Sequence, residues 1–339
     1  MKKLSWFIPL LALGVTSSCA FAQQPTNNLR VMTYNIYWFA EDSNPERIAN
    51  VKQILDTVKP NIVALEEIQS KKALEQIFDS KWSIGMADDP KEYQEPCIAV
   101  KAPYKLVKSE LLFTSPALNF AFPGGRDVLR AEVLTPKGTT LVFYVCHLKS
   151  RRGGRWITDQ QRELAAGMLA GYIAGQKNEN SIVLGDMNDT PDDRSMNILE
   201  TGNLLVKGGQ ESVPNPLMVN LCEPLYRKNY VSLDLDRLFK GQPLAPVVMG
   251  AYQSNEELRG KEHKFPDDVK VVQTLFDQIL VSPNLFPKHV KTDIYSGAEA
   301  LRGSGSKVKV VEEPYSVTYT EMGTKASDHL PVFADFNIE

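Results

Sequence analysis

Six short apolar runs in this chain end or begin at residues able to hold a divalent cation or to move a proton. The run 29–34 stops at Asn35, 62–65 at Glu66-Glu67, 141–146 at His147, and 182–184 at Gly185-Asp186-Met187-Asn188. In the reverse sense, Asp277 precedes Ile279-Leu280-Val281, and Asp328-His329 precedes Leu330-Pro331-Val332-Phe333. If all are strands, with the last two antiparallel to the first four, these groups share one rim. Acids and amides offer the hard oxygen ligands that Mg²⁺ prefers, and imidazoles exchange protons near neutral pH. Such a rim suits a divalent-metal and proton-transfer site. Each residue alone reads as an ordinary turn or surface group. Their joint placement at strand ends points to a common site.

The elements that must position them are legible in part. Asn44-Pro45-Glu46 reads as cap, first-turn proline and first-turn acid, and Ile48, Val51, Leu55 and Val58 follow at helical spacing until Pro60. The run 62–65 comes next, so the chain opens as strand, helix, strand. Ser70 is placed to cap a second helix that uses Leu74, Ile77 and Phe78. Strands are predicted around 97–100, 105–113, 128–134 and 139–146, separated by Ala102-Pro103, Pro123-Gly124-Gly125 and Pro136-Lys137-Gly138. Thr158 or Asp159 opens a helix through Leu164, Met168, Leu169 and Tyr172 that ends near Gly175. Helices mixed with antiparallel strands predict an α/β sandwich. Residues 207–268 hold many prolines and glycines and no clean period, and are read as an elaborated loop region on the site rim.

Residues 1–22 read as a signal peptide: Lys2 and Lys3, an apolar stretch over 4–15, then Ala20-Phe21-Ala22 before Gln23. The expectation is an exported protein, periplasmic or secreted. A rival reading anchors it through a lipidated Cys19, against which Thr16 stands three positions upstream. The apolar stretch is short for a membrane span, and no other long one exists. Residues 29–338 read as one domain, and 43% hydrophobic content supports a sizeable core. The formal net charge of −3 grows more negative when Lys2 and Lys3 are removed, which excludes a tight, generic phosphate-backbone binder. A phosphodiesterase whose site is locally basic and carries a metal remains compatible. Cys97 and Cys146 fall in apolar runs and read as small buried hydrophobes rather than a bridge; Cys222 is the third mature cysteine.

Taken in order, Asn35 after its apolar run, Leu65-Glu66-Glu67, His147, Gly185-Asp186-Met187-Asn188, Asp277-Gln278-Ile279 and Ser327-Asp328-His329-Leu330-Pro331 resemble the motifs of the endonuclease/exonuclease/phosphatase superfamily, the DNase I-like proteins. The resemblance runs from about residue 29 to 336. It implies a four-layer α/β/β/α sandwich of two mainly antiparallel sheets flanked by helices. It further implies that Glu67 is the central Mg²⁺ ligand, with Asn35 and Asp328 beside it and Mn²⁺ or Ca²⁺ as alternative ions. Asp186 and Asn188 would touch the scissile phosphate and the attacking water. Asp277 would hold His329 in one tautomer, and His147 would act as second acid or charge stabiliser. Tyr93 would contact phosphate, Glu95 would orient His147, and Arg130 looks like the family's phosphate-contacting arginine. Asn35-Ile36-Tyr37 lacks the acid found at this point in exonuclease III-type abasic endonucleases, which together with export disfavours DNA repair.

His147 is followed by Leu148-Lys149-Ser150-Arg151-Arg152-Gly153-Gly154-Arg155, the densest basic cluster of the chain. Its position assigns Lys149, Arg151 and Arg152 to phosphate binding, while Trp156 could stack on a base or simply pack. His263 and His289 lie among lysines and read as exposed, structural residues. The expectation is an exported, metal-dependent phosphodiesterase acting as a monomer on nucleic acid, most of all DNA. The alternatives are a phosphatase or a phospholipid or inositol-phosphate phosphodiesterase on the same fold, and, as a third class, a catalytically silent binding module. Whether His329 or Asp186 takes the water's proton stays open at this point.

Overall fold

The computed structural model describes residues 28–89, 94–124, 126–151, 155–176, 180–209, 213–228, 230–234, 273–301, 307–312, 315–321 and 323–338. The leader with Cys19, Tyr93, Arg152, His263 and the greater part of the predicted loop region lie outside the described residues. The chain opens with β1 (Asn28–Phe39), α1 (Pro45–Val58) and β2 (Ile62–Ile68), the strand–helix–strand unit the sequence predicts. The Asn44 side chain accepts from Glu46 N at 2.9 Å, and Pro45 sits in the first turn, where its missing N–H costs nothing. Lys59, left-handed at φ 54°, ends the helix by donating its N–H to Leu55 O at 2.8 Å.

Next come α2 (Lys71–Leu74), β3 (Trp82–Gly85), β4 (Glu95–Lys101), β5 (Lys105–Leu112), β6 (Val128–Leu134), β7 (Thr140–His147), α3 (Arg155–Gly175) and β8 (Ser181–Asp186). They are followed by α4 (Arg194–Thr201), β9 (Val219–Asn220), α5 (Glu223–Tyr226), β10 (Leu233–Asp234), β11 (Gln273–Thr274) and β12 (Asp277–Val281). The chain closes with β13 (His289–Ile294), α6 (Ala298–Leu301), β14 (Lys307–Glu312), β15 (Tyr315–Glu321) and β16 (Val332–Asn337).

Two six-stranded sheets result, ordered β13-β16-β1-β2-β4-β3 and β5-β6-β7-β8-β12-β9. Each is antiparallel except for one parallel pair, β1 with β2 and β7 with β8. β16 runs antiparallel to β1, with Asn28 opposite Asn337, and β12 antiparallel to β8. The last two functional runs therefore do oppose the first four, as the rim requires.

Period-two alternation builds the layers. On β7, Leu141, Phe143 and Val145 enter the core shared with the first sheet. Val142, Tyr144 and Cys146 face the other way, under Ala165, Ala166, Leu169, Ala170 and Ile173 of α3. A strand buried on both faces reads as an unbroken apolar run, and deleting the Phe143 ring would cost about 3–5 kcal/mol. Val51, Ile54, Leu55 and Val58 of α1 pack with the first sheet's residues. The arrangement is the helix-flanked sandwich of two sheets expected for DNase I-like proteins.

Some local expectations shift. α3 starts at Arg155, so Thr158 and Asp159 lie within its first turns rather than at its cap. Part of the predicted loop region is not loop: β9 extends the second sheet by pairing with Leu280 and Val281, and α5 follows it. His289 is half-buried, its ring 5.7 Å from Phe336, where the sequence suggested exposure. Cys97, Cys146 and Cys222 are all buried and free. Among the described residues no helix is long and apolar enough to cross a membrane.

Candidate active site

Strand register assembles half of the site. His147 stands opposite Asp186 on the parallel β7/β8 pair, and Asp277 stands opposite Asp186 on β12/β8. The alternation that sends Val145, Leu184 and Ile279 into the inter-sheet core sends His147, Asp186 and Asp277 the same way, one step beyond. Gly185 permits this approach: at φ 142°, a Cβ there would lie 1.9 Å from Cys146 O.

The first sheet supplies the other half through a bulge. Pairing shifts between Leu65 and Ile68 on β2, and Glu67 adopts φ 63°. Successive strand residues normally face opposite sides, but here both carboxylates are bonded from one face of β1. Thr33 Oγ1 donates to Glu66 Oε1 at 3.0 Å, and Asn35 Nδ2 donates to Glu67 Oε1 at 3.1 Å. A non-glycine left-handed residue costs on the order of 1–2 kcal/mol, a strain typical of functional sites.

Asp328 and His329 arrive on the segment before β16. Ser327 Oγ donates to Asn35 O at 2.6 Å, and the His329 N–H donates to Ser327 Oγ at 3.1 Å. His329 Nδ1 lies 2.7 Å from Asp277 Oδ2, and its Nε2 lies 3.8 Å from Asp186 Oδ2. His147 Nε2 is 3.7 Å from both Glu67 Oε1 and Asp186 Oδ2. Asp186 is therefore the hub, with Asn35 Nδ2 also 3.1 Å from its Oδ2. Asn188, left-handed at φ 51°, donates its backbone N–H to Asp186 Oδ1 at 2.9 Å and its amide to Leu148 O at 3.0 Å.

The electrostatics follow from burying these charges together. Burial, reinforced by the Asp328 charge, pushes Glu67 up to about 7. Burial also lifts Asp186 to about 6, with the His329 charge opposing the rise. Glu66 is held well above the usual carboxylate range by burial and by repulsion from Asp277 and Asp186. For His329, burial favours the neutral ring, but Asp277, Asp186 and Asp328 outweigh it and hold the pKa well above 6.5. His147 goes the opposite way, lowered by burial and by the positive charges of Arg126 and His329. Two imidazoles in one cleft thus differ in their preferred charge.

A hard divalent cation fits this donor set. Glu67 Oε2 is buried without a hydrogen-bond partner, and the Asp328 carboxyl is close enough to raise its pKa. Among the described residues no three acidic, His or Cys side chains form a full cage. Asn35 Oδ1 accepts from Tyr37 N at 3.0 Å, and its nitrogen lies 3.1 Å from both Glu67 Oε1 and Asp186 Oδ2. As placed, it bridges the two carboxylates.

Other expected residues fall elsewhere. Arg130 pairs with Glu132 at 2.8 Å and Glu110 at 3.2 Å, on the same face of β6 as Val128, which packs under α3, away from the cleft. Arg151 is buried, bonded to Asp193 Oδ2 at 2.5 Å, to Asp189 Oδ1 at 3.2 Å and to Asn188 O at 3.2 Å, and stacked over Phe276. With those partners it clamps the segment after β8, while its Nη1 has no hydrogen-bond partner. Glu95 does not orient His147; its carboxylate accepts the N–H groups of Asp88 and Asp89, each at 2.6 Å. The Lys149 ammonium rests on Ser150, with its charge felt at His147.

Three contributors escaped sequence reasoning, and a fourth, Glu66, stood at its strand end without a role. Arg126, at the mouth of β6, donates to Gln94 Oε1 at 2.8 Å and has a buried Nε with no partner. Burial lowers its pKa, and Glu67 and Asp186 are the charges that oppose the shift, so its guanidinium lies within electrostatic range of both. The glycine pair before it was the available signal. Arg47, buried in α1, donates to Ile36 O, to Tyr37 O at 2.6 Å and to Ala326 O at 3.1 Å, tying β1's end to the 326–329 segment. Ser232 Oγ accepts from Phe276 N at 3.1 Å and Asp277 N at 3.0 Å, and nothing in a lone serine announces that. Glu66 reads in sequence as a mere neighbour of Glu67.

A two-sheet sandwich with carboxylates and two histidines at one rim defines a phosphoester hydrolase of the DNase I-like class. The model of the Endonuclease/Exonuclease/phosphatase family matches residues 32–329, and the chain belongs to that family. No curated protein matches in sequence. Among solved structures, D. rerio TDP2 complexed with a single-strand DNA product is 17% identical, with a TM-score of 0.57 over 92% of this chain and 99% of that one. A Bacteroides thetaiotaomicron mannosyl-6-phosphatase is 13% identical, with a TM-score of 0.53 over 90% of this chain and 98% of that one. The human Nocturnin catalytic domain with bound sulfate is 15% identical, with a TM-score of 0.51 over 91% of this chain and 93% of that one. At these identities the likeness speaks to the fold.

Proposed function

We propose that the protein is an exported, Mg²⁺-dependent phosphodiesterase that hydrolyses nucleic acid, foremost DNA, as a monomer. The observation that carries this reading is the convergence on Asp186: both imidazole Nε2 atoms stand within 4 Å of its Oδ2, as their 3.7 and 3.8 Å distances show, beside the partnerless oxygen of Glu67. Export rests on the basic, apolar and small-residue pattern of the first 22 residues.

Glu67 and Asp328 would hold the metal, which when bound neutralises a phosphate oxygen and orients water. Asp277 fixes the His329 ring through Nδ1, leaving Nε2 toward Asp186. The attacking water gives its proton to this pair: to Asp186 while the surrounding carboxylates keep His329 charged, or to His329 Nε2 once that nitrogen is deprotonated. Arg126 lies within electrostatic range of the carboxylates with Nε uncommitted, suited to a non-bridging phosphate oxygen. His147 stands across the cleft as donor to the phosphate or the leaving oxygen.

A substrate panel tests the reading. Purified mature protein with Mg²⁺ is offered plasmid, single-stranded DNA, RNA, sphingomyelin and a sugar phosphate, with and without chelator. Chelator-sensitive cleavage of DNA is expected. Turnover of only the lipid or the sugar phosphate would replace the substrate, and turnover of none would sink the enzyme reading.

A further inference from the structure

Trp38 lies just beyond Asn35 on the rim where β1, β2, β7 and β8 all end. It is 41% exposed, although Ile36 and Phe39 on either side are fully buried. The backbone that presents it is held in an uncommon shape: Tyr37 and Trp38 are both left-handed, at φ 41° and 47°. Three hydrogen bonds already described hold that shape. Asn35 Oδ1 accepts the Tyr37 N–H, and Arg47 grips the carbonyls of Ile36 and Tyr37. The turn that orients a site residue thus also aims an indole at solvent, with its backbone order fixed before any ligand arrives. A tryptophan serving only the core would be turned inward, as Phe39 is.

Accepting the nucleic-acid reading above, we infer that Trp38 is a stacking platform for the nucleobase next to the scissile phosphate, and so a specificity-determining residue. Every base offers a π-face, so stacking tolerates sequence while rejecting phosphoesters that lack a flat group. A membrane wedge is the competing use of an exposed tryptophan. Glu41 and Asp42, exposed just after it, repel anionic lipid headgroups and a phosphate backbone alike, so the vesicle arm of the test separates the two uses.

The test compares wild type, W38F, W38L and W38A on two single-stranded oligomers of one length, one normal and one abasic around the cleaved linkage. Melting curves establish that each variant is folded, and W38L keeps bulk without the π-face should W38A fail to fold. The expected result is a roughly tenfold rise in KM on the normal oligomer for W38A and W38L, within the range of single-base stacking. kcat and the abasic substrate should be unchanged, and W38F should recover most of the loss. Equal losses on both oligomers, no loss on either, or a loss confined to binding of phosphatidylserine vesicles would overturn the stacking role alone. A wild type inert on both oligomers would overturn the nucleic-acid reading, and the platform with it.

Discussion

Asp277 Oδ2 and His329 Nδ1 meet at 2.7 Å across 52 positions of sequence, with the backbone N–H of Asp277 pinned by Ser232 Oγ at 3.0 Å. Both partners are buried, so the ring has one orientation and one free nitrogen. His329→Ala should lower kcat by about 10²–10⁴ and also lower the melting temperature, because it leaves the buried Asp277 carboxylate without its partner. Asp277→Asn should lose much of the same rate factor. Steady-state kinetics on DNA measure this. An Asp277→Asn rate equal to wild type would remove the pair from the mechanism.

The two arginines near β6 make opposite predictions. Arg126 lies within electrostatic range of the carboxylates, so Arg126→Ala should cost about 10²–10³ in kcat/KM, as for loss of one preorganised donor. Arg130 is engaged by Glu110 and Glu132, so Arg130→Ala should leave kcat/KM near wild type. Equal effects would contradict the placement of both.

Glu67→Gln should abolish Mg²⁺ binding by calorimetry as well as turnover, because its buried Oε2 has no partner within the protein. Chelation of the wild type should do the same reversibly. Mg²⁺ heat retained in the variant would move the metal to other ligands.

Arg47 touches no reacting group, yet its guanidinium satisfies three backbone carbonyls from two segments. Arg47→Met should destabilise by about 3–5 kcal/mol, since buried acceptors lose a charged donor. Urea melts read this directly, and a change below about 1 kcal/mol would show that water replaces the guanidinium with ease.

Glu200 makes stability pH-dependent away from the site. Burial, then repulsion from Glu223, pushes its carboxyl from 4.5 up to about 8. Between those values the native chain keeps a proton that the unfolded chain has lost, so stability falls as pH rises through the window. Glu200→Gln should therefore stabilise by on the order of 1–3 kcal/mol at pH 8 and by almost nothing at pH 4. Melting curves at the two pH values check it, and a pH-independent difference would refute it.

Much of the sandwich was legible because strands buried on both faces leave unbroken apolar runs, and because Asn44-Pro45 is a strong helix start. The site's strand-end residues were legible for a related reason: a polar group at the end of an apolar run has few structural uses. Arg130 and Arg151 misled because charge alone does not say which face a residue takes. One lies on the helix side of β6, and the other is held by Asp189 and Asp193. Only the family resemblance set Glu67 apart from Glu66, since a bulge that turns both to one side has no local signature. Ser232 and Arg47 act through backbone carbonyls and N–H groups, which no side-chain pattern encodes.

β1 pairs with β16, and Arg30 bonds Asp335 at 2.6 Å across 305 positions. During synthesis Asn35 and Glu67 therefore emerge long before Asp328 and His329, which ride on the approach to β16. Until the segment before β16 is made, the site lacks the imidazole that Asp277 holds and the carboxylate beside Glu67. A chain truncated before residue 328 should therefore show no hydrolysis.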